Sequence, residues 1–314
     1  MQEQCSADTV VGVNGGTKHL QQFLHCTKEY RTTGLLGTAT TSYDCKEPVM
    51  RRAPYTHVTR ELVVSKLPLF TGNVKQLPPL FSALRMDGKR LFEYAREGVP
   101  LPRPIEPRDV TVHELRLVEW LAPDAHSYKA PDTEVSDEEK ALLGQVRRLA
   151  GSSDEGLDTT RSREQPPTGD RAAEASDVGA QAPMCEKQAE VLEQAVPTAP
   201  ATETHSAGPP DDSLPAAFAL EMTVSSGTYV RSIVHDLGTA CGSAAHVVRL
   251  IRTRQGAFSL GHEAEQGNCI PWSVFERGLA ELDAAHRGDT SLDSRDASGL
   301  REWERAVLAH FQTV

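Results

Sequence analysis

The fold is decided by residues 218–238, which read FALEMTVSSGTYVRSIVHDLG. As far as Val224, large apolar residues alternate with small or polar ones, which is the spacing of a strand with one buried face. Gly227 ends this strand. Apolar residues then return at helical spacing between Val230 and Leu237, which predicts a helix with one buried stripe. The stretch therefore predicts a strand, a glycine turn and a helix.

Similar patterns on both sides of this stretch predict further elements. We expect strands at residues 9–13, 29–37, 110–121 and 252–260. We expect helices at residues 17–24, 59–70, 89–97, 242–250, 272–285 and 300–311. Strands and helices thus alternate along much of the chain. We predict an α/β (α+β) fold in which helices flank a central mixed β-sheet.

Acidic charge is concentrated in one block of the chain. The whole sequence carries 33 Lys and Arg against 44 Asp and Glu, a net charge of -11. Residues 131–213 hold 7 of these basic residues and 18 of the acidic ones, whereas residues 1–130 hold 17 and 14. The acidic block has almost no aromatic or large apolar residues, so it cannot bury enough surface to offset the entropy lost on ordering. We therefore expect this acidic block to be disordered, and the slightly basic first part leaves a nucleic-acid partner open.

Residue spacing argues against several classes of protein. The six cysteines are scattered, without a C-x-x-C pair or a Cys/His cluster, so disulfides and structural zinc are not expected. No apolar run approaches the roughly 18 residues of a membrane helix, and the amino end lacks a secretion signal. Residues 12–18, GVNGGTK, do not have the spacing of a phosphate-binding loop. We expect a soluble intracellular protein in the nucleus or cytoplasm, with the mitochondrion as an alternative.

Three short segments, taken together and in this order, resemble one known family. They are KEYR at residues 28–31, QLPPLFSAL at 76–84 and GTYVRS at 227–232, followed by LIRTRQG at 250–256. Jointly they resemble the TruB family of pseudouridine synthases, over about residues 10–121 and 215–260. The resemblance implies that the predicted sheet is the pseudouridine synthase catalytic fold.

The resemblance also implies a base-flipping mechanism, in which a uridine of the tRNA T-loop leaves the folded RNA. Tyr30 matches the tyrosine that stacks on the flipped uracil and takes part in removing the proton from C5. Arg231 matches the arginine that pairs with the catalytic carboxylate and keeps it ionised. Tyr229 and Leu250 match residues that line the uracil pocket.

Charge alone suggests three contacts to RNA phosphates, namely Lys18, Lys89 and Arg90. Each of these side chains is at least as readily explained as a solvated surface residue. No metal or organic cofactor is implied, because the isomerisation of uridine breaks and remakes bonds within one nucleotide.

The catalytic aspartate of the family has no counterpart in this sequence. The resemblance places it fifteen residues before the threonine that matches Thr17, and Gln2 stands at that position. Asp8 is six residues too late. An amide cannot replace an ionised carboxylate, so we expect the chain as written to be inactive. Thr41 is a second departure, because the family usually has an acidic residue there.

Two functions remain open. The first is a tRNA pseudouridine synthase whose sequence lacks the amino-terminal segment with the aspartate. The second is a catalytically inactive protein that binds or refolds tRNA on the same scaffold. The joint presence of Tyr30, Tyr229 and Arg231 favours the enzyme, since a scaffold has no evident need for all three.

The resemblance divides the chain into four parts. Residues 1–130 and 214–262 are expected to form one catalytic domain, 131–213 an insertion in it, and 263–314 a helical extension. A plain linker between two independent domains is the alternative for the insertion. We expect a monomer that binds the T-loop stem-loop of tRNA, with other structured RNA such as mRNA as an alternative, and no membrane partner.

Overall fold

A computed structural model describes residues 5–7, 9–137, 140, 214–262, 265–289 and 295–310. Gln2 and residues 141–213 therefore lie outside the described residues. The strands β1 to β13 are Cys5–Ala7, Lys28–Leu36, Thr38–Thr40, Val49–Arg52, Gly72–Gln76, Arg85–Met86, Lys89–Arg90, Arg108–Leu121, Ala217–Val224, Ala245–Gln255, Phe258–Ser259, Gly261–His262 and Glu265–Gln266. The helices α1 to α5 are Arg60–Lys66, Leu91–Glu97, Val230–Ala240, Trp272–His286 and Glu302–Ala309, and 3-10 helices cover Asn14–Phe23 and Leu67–Phe70.

The main sheet contains seven of the described strands. Its order is β1-β10-β2-β9-β8-β5, and β11 pairs with β10. β1 runs parallel to β10, whereas the other neighbouring strands are antiparallel. Helix α3 packs against β2 and β10, and α1 packs against β8. The predicted fold class, a mixed sheet flanked by helices, is confirmed.

The two sides of the acidic segment contribute neighbouring strands to this sheet. β8, which precedes the segment, pairs with β9, which follows it, and the register places Leu117 opposite Leu220. The first residues of the expected insertion are packed, because Val135 is buried and donates a backbone hydrogen bond to Val49. Ordered chain thus continues past Pro131, the predicted start of the insertion.

The core lies between one face of the sheet and helix α3. Phe218 and Leu220 of β9 and Leu237 of α3 are fully buried in it. Gly34 of β2 is a point of close approach, because a Cβ atom there would lie 2.6 Å from the Phe218 ring. A strand glycine at a tight contact lets the helix and its neighbours approach the backbone.

Several local predictions are wrong. Residues 242–250 do not form a helix but belong largely to β10. This strand pairs with β1 on one side and with β2 on the other. Residues 9–13 form no strand, and the expected helix at 17–24 is a 3-10 helix without a buried residue. The helix expected from Lys89 begins at Leu91, because Lys89 and Arg90 pair with the preceding short strand.

None of the helices in the described part of the chain has the length and apolar content that a bilayer-spanning helix requires.

Candidate active site

The sheet places Tyr30 and Leu250 on the same face. Tyr30 of β2 pairs with Met222 of β9 and with Arg252 of β10, while Leu250 pairs with Thr32. Paired residues and residues two apart on a strand share a face, so Tyr30 and Leu250 are diagonal neighbours. Both side chains are half-buried against the main core. An aromatic ring and an aliphatic side chain therefore lie near each other on this face, and their role as pocket residues stays a prediction.

Tyr229 lies where the chain enters helix α3. A short turn separates it from Val224, the last residue of β9. Val224 in turn pairs with Lys28 at the start of β2, the strand that carries Tyr30. The backbone of Tyr229 is held by the side-chain amide of Gln76, the last residue of β5. Gln76 Nε2 donates to Tyr229 O over 2.9 Å, and Tyr229 N donates to Gln76 Oε1 over 2.7 Å. The half-buried Tyr229 ring thus projects from a backbone whose N–H and carbonyl are both held by Gln76.

Arg231 lies in the first turn of α3 and joins two loops. Its Nη1 donates to Ser42 O over 3.1 Å, and its Nη2 donates to Phe81 O over 3.2 Å. The side chain is half-buried. A guanidinium has five N–H donors, so these two bonds leave donors for a further acceptor such as a carboxylate.

The turn that contains Ser42 contacts α3 at a second point. The Tyr43 ring stacks on the His235 ring, with centroids 3.9 Å apart and planes inclined by 17°. His235 lies one helical turn after Arg231, so both contacts come from the same side of α3. Tyr43 has a φ of 64°, a left-handed conformation that is unfavourable for a residue with a side chain. The stack and a backbone hydrogen bond from Val247 N to Tyr43 O, 2.9 Å long, hold this conformation.

The three candidate phosphate contacts lie on two different elements. Lys18 is exposed on the 3-10 helix near the amino end. Lys89 forms an ion pair with Glu97 and lies 4.9 Å from the centre of the Tyr94 ring. Arg90 is exposed. These contacts do not test a role in RNA binding, which stays a prediction for all three residues.

The two departures from the family pattern differ in what the structure says of them. Gln2, the residue at the place of the catalytic aspartate, lies outside the described residues. Thr41, at the other departure from the family pattern, is buried beside the Ser42 turn. Within the described ranges, no three His, Cys, Asp or Glu side chains are arranged to hold a metal ion.

Comparison with known proteins identifies the family. Residues 9–135 match the profile of TruB family pseudouridylate synthase (N terminal domain). The tRNA pseudouridine synthase 4 of Schizosaccharomyces pombe is 37% identical to this chain over 273 residues. Over these residues the chain is similar to the TruB family. This similarity confirms the resemblance that the four sequence segments indicated.

The TruB relatives are longer than the region they share with this chain. The match covers 85% of this chain and 64% of the Schizosaccharomyces pombe protein. The tRNA pseudouridine synthase 4 of Saccharomyces cerevisiae is 32% identical over 261 residues, which cover 80% of this chain and 58% of that protein. The chain thus spans less than two thirds of either relative. Among solved structures, a Cbf5-Nop10-Gar1 complex matches with a TM-score of 0.42 and 14% identity, over 98% of this chain and 48% of that chain.

Sequence reasoning missed Gln76, Tyr43 and His235 as parts of the site. Gln76 begins the QLPPLFSAL segment, but its partner Tyr229 lies 153 residues away, so the sequence gives no sign of the contact. Tyr43 adjoins the Thr41 position that departs from the family pattern, and this departure is the only signal that could have drawn attention to the turn.

Proposed function

We propose that this chain forms the catalytic part of a tRNA pseudouridine synthase, which isomerises a T-loop uridine to pseudouridine after flipping the base. The observation that carries the proposal is the environment of Arg231. Its half-buried guanidinium donates to two backbone carbonyls and, among the described residues, to no carboxylate. Burying a cation without an acid partner is unfavourable. The arrangement therefore suits an arginine that receives the catalytic carboxylate of the family.

The remaining pocket residues suit a flipped pyrimidine. The Tyr30 ring offers a face on which uracil can stack, and stacking holds a base without fixing its edge. Leu250 and Tyr229 would close the sides of the pocket. The base can then rotate after its glycosidic C–N bond breaks, and C5 forms the new bond to the sugar. C5 loses its proton and N1 gains one, so the reaction needs no oxidant, metal or cofactor.

The carboxylate itself is the open element of the proposal. Gln2 stands at its place, and an amide can neither attack the sugar nor remove a proton. We expect catalysis only from a form of the protein that carries, ahead of Cys5, the family's short segment in which a leucine precedes the catalytic aspartate, called here the Leu-Asp segment. The second candidate function, a catalytically inactive protein that binds or refolds tRNA, is favoured by Gln2 alone.

The test uses an RNA stem-loop with a T-loop sequence and a labelled target uridine. The protein extended by the Leu-Asp segment should convert this uridine to pseudouridine, and its Arg231→Met variant should lose nearly all of this activity. The chain as given should bind the RNA without converting it. If the extended protein binds the stem-loop but forms no pseudouridine in any T-loop RNA, the scaffold function replaces the enzymatic one.

We further propose that the protein acts as a monomer on the tRNA stem-loop. Lys18, Lys89 and Arg90 are candidates for contacts to its phosphates. Phosphate contacts release counterions, so removing one should weaken RNA binding about equally for every sequence and should reduce the salt dependence of binding.

A further inference from the structure

Gln76 makes an unusual contact with the entrance of helix α3. The residue is only 8% exposed, and both ends of its side-chain amide bind the backbone of one residue, Tyr229. The orientation of the amide is fixed by its partners, because the Tyr229 N–H can only donate and the Tyr229 carbonyl can only accept. The amide thus takes the place of a neighbouring strand for a residue that lies beyond the sheet.

This contact fixes the residue from which the helix starts. Tyr229 is the N-cap residue of α3, and its carbonyl also accepts a hydrogen bond from Ile233 N over 3.3 Å. Its N–H has no partner within the helix, as for any residue at this end. Gln76 satisfies that N–H and restrains both backbone dihedrals of Tyr229. The direction of the Tyr229 ring, and that of Arg231 two residues later, depends on these dihedrals.

We infer that Gln76 is a positioning residue for the pocket that grips the target uracil, an inference that rests on the proposed function. It does not touch the base; it acts through Tyr229. The side chain must have this length and this chemistry. Asparagine is one methylene shorter, and glutamate would turn a second oxygen towards the Tyr229 carbonyl in place of the N–H donor.

The consequence can be measured without catalysis. Two T-loop stem-loops are compared, one with the target uridine and one with an abasic site at that position. A pocket that stacks a flipped base should favour the uridine RNA by about tenfold or more. Gln76→Met and Gln76→Glu should each lower this preference to about twofold, while their affinity for the abasic RNA stays close to that of the unmodified chain.

Gln255 provides a matched control. It is also 8% exposed, and its side chain also binds backbone, with Nε2 donating to Phe23 O over 3.1 Å. It makes no contact with Tyr229 in the described structure. Gln255→Met should lower the melting temperature by an amount comparable to Gln76→Met and should leave the preference for the uridine RNA unchanged.

Each result decides the question. If both Gln76 variants keep the full preference, the inference is wrong. It is equally wrong if Gln255→Met loses as much preference as they do, because the effect would then be general destabilisation. If Gln76→Met does not fold, Gln76→Asn, which keeps an amide, takes its place in the same comparison. If the unmodified chain itself shows no preference for the uridine RNA over the abasic RNA, the proposed function is contradicted. The inference about Gln76, which rests on that function, then fails with it.

Discussion

Replacing His246 by asparagine should make the stability of the protein less sensitive to acid. His246 is fully buried in β10, where Nδ1 lies 2.9 Å from Thr38 Oγ1 and 3.0 Å from Thr38 O. Burial lowers the pKa of its imidazole, against the opposing effects of the Thr38 carbonyl and the Asp44 charge. The folded protein therefore holds His246 neutral at a pH where a solvated histidine is already protonated.

The magnitude follows from proton linkage. An unfolded histidine titrates near pH 6.5. Between that pH and the lower folded pKa of His246, the unfolded chain binds more protons than the folded one, by up to one. The free energy of unfolding should then fall as the pH decreases, by at most about 1.4 kcal/mol per pH unit. Above about pH 6.5 this loss is absent, and below the folded pKa it no longer grows.

Urea unfolding at several pH values between about 7.5 and 5 measures this effect. As the pH falls below about 6.5, the difference in unfolding free energy between the unmodified chain and His246→Asn should shift in favour of the variant, by at most about 1.4 kcal/mol per pH unit. Contributions from other histidines cancel in this difference. His113→Asn, a change at an exposed position, serves as the control and should show a constant difference. A constant difference for His246→Asn as well would refute the reasoning.

Two further predictions concern packing and the Arg231 anchor. Gly34→Ala should reduce the unfolding free energy by about 1–3 kcal/mol, because the new Cβ would lie 2.6 Å from Phe218 and 2.7 Å from Val234. Urea unfolding measures this change. The control is Gly15→Ala, whose new Cβ would meet no atom within 4 Å and which should therefore cost far less. Arg231→Lys should cost roughly 1.5 kcal/mol in the same assay, because an ammonium cannot reach two loop carbonyls with the fork of a guanidinium. An unchanged stability for Arg231→Lys would mean that these two hydrogen bonds contribute nothing.

The elements that could be predicted from sequence are those with a strong local pattern. β9 was predicted because its apolar residues alternate over eight positions, and α3 because its stripe from Val230 to Leu237 spans two full turns. Both patterns arise because one face of each element is buried in the same core.

The elements that were missed have no such local signal. Strand Ala245–Gln255 follows two small residues and a glycine turn, and its first four residues are buried in a row. A buried run without alternation fits a strand or a helix equally well. The structure decides for a strand because β1 and β2 supply hydrogen-bonding partners on both edges, and these partners lie more than 200 residues away in the chain.

For the site, the family resemblance pointed to Tyr30, Tyr229, Arg231 and Leu250, and the roles of these residues stay predictions. Their supports could not be found in this way. Gln76 contacts Tyr229 over a separation of 153 residues. The stack of Tyr43 on His235 depends on a left-handed backbone conformation at Tyr43, which its residue type does not predict.

The contacts of Gln76, Arg231 and Tyr43 all meet at the beginning of α3. Hydrogen bonds from Gln76 and Arg231, together with the ring of Tyr43, attach the end of β5 and two loops to the beginning of α3. All of these contacts are made among described residues. Under the proposed function they would hold one wall of the pocket in place, so that binding of a flipped base would not need to order it. A substitution at any of them should thus weaken the grip on the base more than the grip on the RNA backbone.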